Sequence, residues 1–381
     1  VSAPLTDSEG PMSDSDLVQL FRNNAVSSMP RAPLNAAISR TVAEDPALRR
    51  LLLHAPPAQR LPVLLLAAVH ATLLGLAVDE SEPHELIRWY PNLTDDPRSA
   101  DDRRLPAVFN DFVARHRASI IEFVSTRQTQ TNEVGRSALL LVAFGIVADE
   151  VGPLAHLDIG ASGGLNLLID RLAYRFVPDT GRPPTDDRSD IHRVGGPSSV
   201  ELVVHTRGSV PVPDRLPSFA ARCGVDRHPV DVTDDAEARW LEACVWPDQT
   251  DRFERLAAMI EIAREDPPEL LAGDATASLE RSIDRMQRAG HVVVTNSWML
   301  NYLSPDERVA YAAELDRLGS SVDFSWVFLE SPGLTPELPW GSAPVESGLT
   351  ALNLVRWREG RRAVDHLAVC HPHGYWMHWG G

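Results

Sequence analysis

Apolar positions change their rhythm once along this chain, near Gly152. Before it they recur at the three- and four-residue spacing of helices packed on one face. Ser13 and Asp14 can cap a helix that runs through Asn24. Leu34–Ala43, Pro46–His54 and Leu61–Val78 come next, separated by proline or polar breaks. Asp79–Arg104 is polar and reads as loop with at most short helices. Ala107–Val124 carries Val108, Phe109, Phe112, Val113, Ile120, Ile121 and Val124 and predicts one helix, and the apolar run Ser137–Val151 predicts a buried one.

After Gly152 short apolar runs alternate with polar helical stretches. The runs are Leu154–Ile159, Glu201–His205, His291–Thr295, Val322–Leu329, Leu352–Trp357 and His366–Cys370. The helical stretches are Ala236–Val245, Arg252–Arg264, Ala275–Ala289 and Pro305–Leu318. Alternation of this kind predicts an α/β fold, a mostly parallel sheet with helices on both faces. The last two runs are close enough to form an antiparallel hairpin. Residues 176–200, rich in Pro, Gly and Asp, read as an inserted loop. The expected division is a disordered segment 1–12, an α-helical domain 13–130 and an α/β domain 131–381.

Composition narrows the chemistry. The chain has 381 residues and a formal charge of -17, and all 36 basic residues are Arg, with no Lys. A P-loop, a protein-kinase site and a pyridoxal Schiff base each need a Lys amine, so all three are excluded. The acidic balance argues against generic nucleic-acid binding, which uses cationic surface to displace counterions. Cys223, Cys244 and Cys370 are odd in number and far apart, which predicts free thiols and a reducing cytoplasm. The first sixteen residues are acidic and polar, the reverse of a secretory signal, and Val1 fits an alternative start codon with Met12 a second start. Leu61–Val78 is the only stretch long enough to raise a membrane question. Its His70, Thr72 and Gly75 favour a buried core helix.

The densest motif is His156-Leu-Asp158-Ile-Gly160-Ala161-Ser162-Gly163-Gly164-Leu-Asn-Leu167, an apolar strand, a small-residue loop and a helix start. Ligands of parallel sheets bind at such strand ends. The dinucleotide fingerprint fails here, because Ser162 and Leu165 stand where glycines are needed. An acid followed by G-x-G-x-G fits better: Asp158, Gly160, Ser162 and Gly164 align with one small replacement.

That loop resembles motif I of class I S-adenosylmethionine-dependent methyltransferases. With TNEVGR at 131–136, GVDRHPVDV at 224–232, RWLEACVWPDQTDR at 239–252, AGDA at 272–275, NSWMLNYLSPDER at 296–308 and HPHGYW at 371–376, the chain resembles a bacterial family of unknown function. The family is frequent in actinobacteria and related to the methyltransferase fold. The resemblance implies a Rossmann-like core behind a helical N-terminal region, with the final strand inserted between two others. It implies S-adenosyl-L-methionine as cofactor, held by Asp158, Gly160, Ala161, Ser162, Gly163 and Gly164. Asp226, with Asp231 as a rival, stands where the ribose acid belongs. Asp274 stands in the adenine-contacting loop, or else caps a helix.

Asn296, Ser297 and Trp298 come after a strand where such enzymes place substrate-facing groups, so Asn296 is a cofactor or catalytic candidate and Trp298 a catalytic one. They are not the D/N-P-P-Y tetrad of amino-group methylation. Thr131, Asn132, Glu133 and Arg136 either cap a helix or close over the cofactor. His371 and His373 are catalytic candidates at the C-terminus. With Cys370, His366 and His378 they also raise a metal site, but no zinc motif accompanies them, and no metal is expected. The loop also spells G-x-S-x-G, so a serine hydrolase using Ser162, with His371 or His373 as base, is the alternative. A non-catalytic binder that keeps the fold is the third. The first expectation is a cytoplasmic methyltransferase-like protein acting on a small molecule, with no membrane or nucleic-acid partner.

Overall fold

The computed structural model describes residues 12–29, 31–79, 84–179, 191–341 and 349–380. Its helices are α1 (Asp14–Ser28), α2 (Pro33–Glu44), α3 (Pro46–Arg49), α4 (Pro62–Asp79), α5 (Leu105–Arg115), α6 (Arg117–Thr126), α7 (Ser137–Val151), α8 (Asp235–Ala243), α9 (Thr250–Glu265), α10 (Leu279–Met286) and α11 (Pro305–Gly319). Its strands are β1 (Leu154–Ile159), β2 (Ala173–Pro178), β3 (His192–Val194), β4 (Glu201–Arg207), β5 (Phe219–Asp226), β6 (Leu270–Ala272), β7 (His291–Ser297), β8 (Phe324–Glu330), β9 (Thr350–Arg358), β10 (Arg361–Cys370) and β11 (Trp376–Trp379).

The chain forms two compact units, residues 1–131 with 233–257, and residues 132–232 with 258–381. The first is helical. Ser13 opens α1 through a reciprocal capping box with Asp16. Leu64, Leu65, Ala68 and Val69 of α4 lie buried within this unit's core. Among the described residues no helix is long and apolar enough to cross a membrane. The expected helix 107–124 is two helices, α5 and α6, broken at His116 (φ -108°, ψ 21°). No Gly or Pro marks that break. Residues 233–257, expected in the second domain, belong to the first, because Trp240 and Ala243 of α8 are buried in the helical core. Of the segment expected to be disordered, residues 1–11 lie outside the described residues, and Met12 packs on that core.

The second unit is built on an 11-stranded sheet in the order β3-β2-β4-β11-β10-β9-β8-β7-β1-β5-β6. From β6 to β8 every pair is parallel. In this half β1 is central, with β5 and β6 on one side and β7 and β8 on the other. The chain therefore reverses its winding between β1 and β7, which is where open α/β sheets bind ligands. β1 is buried along its whole length, as a strand covered on both faces must be.

One expectation is corrected. Residues 176–200 are not simply a loop: β2 and β4 pair in parallel, β3 adds antiparallel, and Tyr174, Phe176, Leu202 and Val204 alternate inward as strand residues do. Residues 180–190 of that stretch lie outside the described residues. The last strands do lie between others, as expected: β10 between β9 and β11, and β11 between β10 and β4. β9 pairs antiparallel with β8, and β10 returns antiparallel beside β9. The short 358–361 turn explains this, since a hairpin returns to the adjacent position without a crossover. β11 then joins β4 in parallel, so the segment between β1 and β5 extends the far side of the sheet.

Candidate functional site

Parallel strands deliver their carboxyl ends to one edge of the sheet, and most of the singled-out residues meet at that edge. β1 ends at Asp158 and Ile159 and passes into Gly160–Gly164, where Gly160, Ser162 and Gly164 all have positive φ (84°, 53° and 70°). Glycine adopts this conformation freely; serine does not. The loop leads into a kinked 3-10 segment, Leu165–Arg171, rather than the expected α-helix, so no helix macrodipole points at it.

The loop spends four of its five amides within the protein. Gly160 and Ala161 donate to the Val225 carbonyl, Ser162 to Asp226 Oδ2 (2.9 Å), and Gly164 to the Ala161 carbonyl. A pyrophosphate cradle needs such amides turned outward, so this loop suits a ligand without phosphates. Asp226 ends β5 beside β1, which resolves its long sequence distance: β2, β3 and β4 intervene. Its second oxygen accepts from the His228 amide at 2.9 Å.

Asp158 is buried and accepts from the Thr295 hydroxyl at 2.7 Å. Burial pushes its carboxyl up to about 6, Asp226 adds to the rise, and the Thr295 bond and the Arg136 charge oppose it. Glu330 closes β8, next to the end of β7. Its Oε1 accepts from the Met299 and Leu300 amides at 2.8 and 2.9 Å, while Oε2 is buried with no partner. Burial pushes this carboxyl up to about 7, against the Leu300, Met299 and Asn301 amides and Arg136. Sequence reading missed it by ending the strand at Leu329; the available signal was an acid closing an apolar run.

Buried polar atoms without a partner gather among these same segments: Asn132 Oδ1, Ser162 Oγ, Glu330 Oε2 and Ser331 Oγ. Native interiors leave few such groups. Asn132 touches the loop, donating to the Ala161 carbonyl at 3.2 Å. Met299 covers Gly160: a Cβ built on that glycine would lie 2.2 Å from Met299 Cγ. Trp298, left-handed at φ 57°, donates from its indole to Thr350 and lies 5.7 Å from the Arg136 guanidinium carbon.

The turns 132–136 and 371–374 pack on one another. Arg136, 4% exposed, donates to the Pro372 carbonyl (2.8 Å) and to the Ser297 carbonyl and hydroxyl. His373 Nδ1 meets the buried Glu133 carboxylate at 2.9 Å, and His371 Nδ1 accepts from the His373 amide at 3.0 Å. Glu133 also caps its own turn through the Gly135 amide, which meets the capping expectation for this segment. Among the described residues no three His, Cys, Asp or Glu side chains gather as a metal site would require.

Two candidates have structural partners. Asn296 is buried at 0% exposure, donates to the Ile159 carbonyl, and accepts from the Tyr311 hydroxyl and the Trp326 indole, so its amide is engaged by protein at both ends. Asp274 caps the 274–277 turn through the Thr276 and Ala277 amides and pairs with Arg227.

Glu330 should make stability depend on pH. Its folded value lies above that of an unfolded glutamate, so the unfolded chain binds fewer protons between the two values. Stability must then fall as pH rises through that window. Glu330→Gln should remove the fall, gaining on the wild type by about 1–3 kcal/mol between ~pH 5 and ~pH 8 in denaturant titrations.

A family model described as "Uncharacterized protein conserved in bacteria (DUF2332)" matches residues 18–379. The chain belongs to this family. The match spans both units, so DUF2332 covers the helical region and the sheet together. No curated protein and no solved structure matches the chain.

Proposed function

We propose that this DUF2332 protein binds S-adenosyl-L-methionine at the carboxyl edge of β1, β5 and β7 and transfers its methyl group to a small molecule in the cytoplasm. The observation that carries this reading is the pairing of a left-handed loop, four of whose five amides are spent within the protein, with acids at the ends of two adjacent strands, Asp158 and Asp226. A nucleoside without phosphates suits that loop, and acids suit an amino group and ribose hydroxyls. The unpartnered atoms of Asn132 and Ser162 fit the same polar ligand. Met299 must leave Gly160 for the ligand to enter; its half-exposed, unbranched side chain has the torsional freedom to do so. The bound cofactor would supply the electrophilic methyl group, and the protein orients it and excludes water.

A thermal melt tests this. S-adenosylmethionine and S-adenosylhomocysteine should each raise the melting temperature, by mass action on the native state. Gly160→Val is a poor control, because its Cβ would strike Met299 and its φ of 84° strains any branched residue. Asp158→Asn keeps the Thr295 contact and removes the charge, so it is the better one.

Against the hydrolase alternative, Ser162 Oγ has no hydrogen-bond partner and hence no base in contact. A fluorophosphonate probe should leave Ser162 unlabelled; stoichiometric labelling lost in Ser162→Ala would favour the hydrolase.

A further inference from the structure

We propose that Glu330 contacts ligand, its unpartnered Oε2 forming a subsite for a hydrogen-bond donor, a hydroxyl, amine or ammonium, beside the Gly160–Gly164 loop; the proposal rests on the reading of that loop as a nucleoside site. Glu330 is fully buried, and one of its two carboxyl oxygens is committed to the Met299 and Leu300 amides. Holding that turn needs only one oxygen. The Asn301 amide also faces this carboxyl group, but Oε2 has no partner within hydrogen-bond geometry, and neither has the hydroxyl of the next residue, Ser331, which is also fully buried. A buried acceptor without a donor destabilises the fold, so two in succession at a strand end of the ligand-binding edge mark a place where a ligand supplies the missing donor. The position is close to the loop: Met299, whose amide Glu330 holds, is the residue lying on Gly160. Removal of Met299 from the loop would open the space between Gly160 and this carboxyl group. The charged and titratable groups that act on Glu330 are Arg136, which favours its anion, and Tyr311, whose hydroxyl is bonded to Asn296. Arg136 also acts on Asp158, whose carboxyl is raised by its own burial.

Two nucleosides separate a donor subsite from a merely structural acid. S-adenosylhomocysteine presents a neutral thioether at its centre; sinefungin presents an amine there on the same nucleoside and amino-acid frame. By calorimetry at ~pH 8 the wild type should bind sinefungin roughly tenfold more tightly than the thioether. Glu330→Gln, which keeps the shape and the acceptor for Met299 and Leu300, should retain thioether binding and bring the ratio near one. The wild type alone gives a second readout: its ratio should decline as pH falls through about 7, where Glu330 takes up a proton. Equal affinities in the wild type, a ratio that survives in Glu330→Gln, or a ratio flat in pH would overturn the subsite while leaving the nucleoside reading intact. Binding of neither nucleoside would remove both.

Discussion

Cutting the chain after Gly360 should yield insoluble or molten protein. The cut removes β10 and β11. β10 lies between β9 and β11, and β11 is the strand through which β4, with β2 and β3 beyond it, joins the sheet. β9 and β4 would each keep an open ladder, and buried backbone groups without partners are costly. Leu367, Val369, Cys370 and Met377 would be lost from the interior, large side chains contributing about 1.5–3 kcal/mol each when fully buried. Arg136 would lose the Pro372 carbonyl and Glu133 would lose His373. Together these losses are as large as the roughly 5–15 kcal/mol that holds a typical domain folded. Solubility, near-ultraviolet circular dichroism and a melt decide it. A soluble fragment melting cooperatively near the full-length temperature would show that the tail is peripheral.

Asn296→Ala should cost more stability than any substitution at Asp158, Ser162 or Glu330. Removal of the amide strands the Tyr311 hydroxyl, the Trp326 indole N–H and the Ile159 carbonyl, all within the core. Each buried group left without a partner costs about 1–3 kcal/mol, so the sum is of order 3–9 kcal/mol. Denaturant titration should show the unfolding free energy falling by this amount. Asn296→Asp should be harmful too, since it places a carboxylate against the Ile159 carbonyl. A variant that keeps wild-type stability yet loses ligand would return Asn296 to the site.

Much of the fold was legible because its elements have strong local signals. Leu154–Ile159 and Ser137–Val151 match their apolar runs residue for residue. The β9–β10 hairpin was readable from a short turn with Gly360, which adopts φ 71°. β6 and β3 were missed because three residues each are too few for a period to emerge; β11 was missed too, and so was the interior strand β5, where Arg222 interrupts the apolar run. β2 was hidden by the proline- and aspartate-rich stretch after it. The junction of β11 with β4 could not be read locally, since the two strands are far apart in the chain. For the site, small residues around Ser162 and the acid before them were visible, and so was Asp226 as a pattern. The role of Asn296 was not, because a buried amide and a ligand-facing one look alike in sequence. Glu330 carried the weakest signal, one acid after an apolar strand, although its environment is among the most perturbed in the unit.

The edge formed by Asp158, the Gly160–Gly164 loop and Asp226 is the proposed site of an adenosyl nucleoside. Isothermal titration of the full chain with S-adenosylhomocysteine, beside Asp158→Asn, addresses it most directly. Expected is saturable binding at one site per chain, weakened by about tenfold or more in Asp158→Asn, whose own melt stays cooperative. No binding heat at millimolar nucleoside, or equal affinity in wild type and Asp158→Asn, would contradict it.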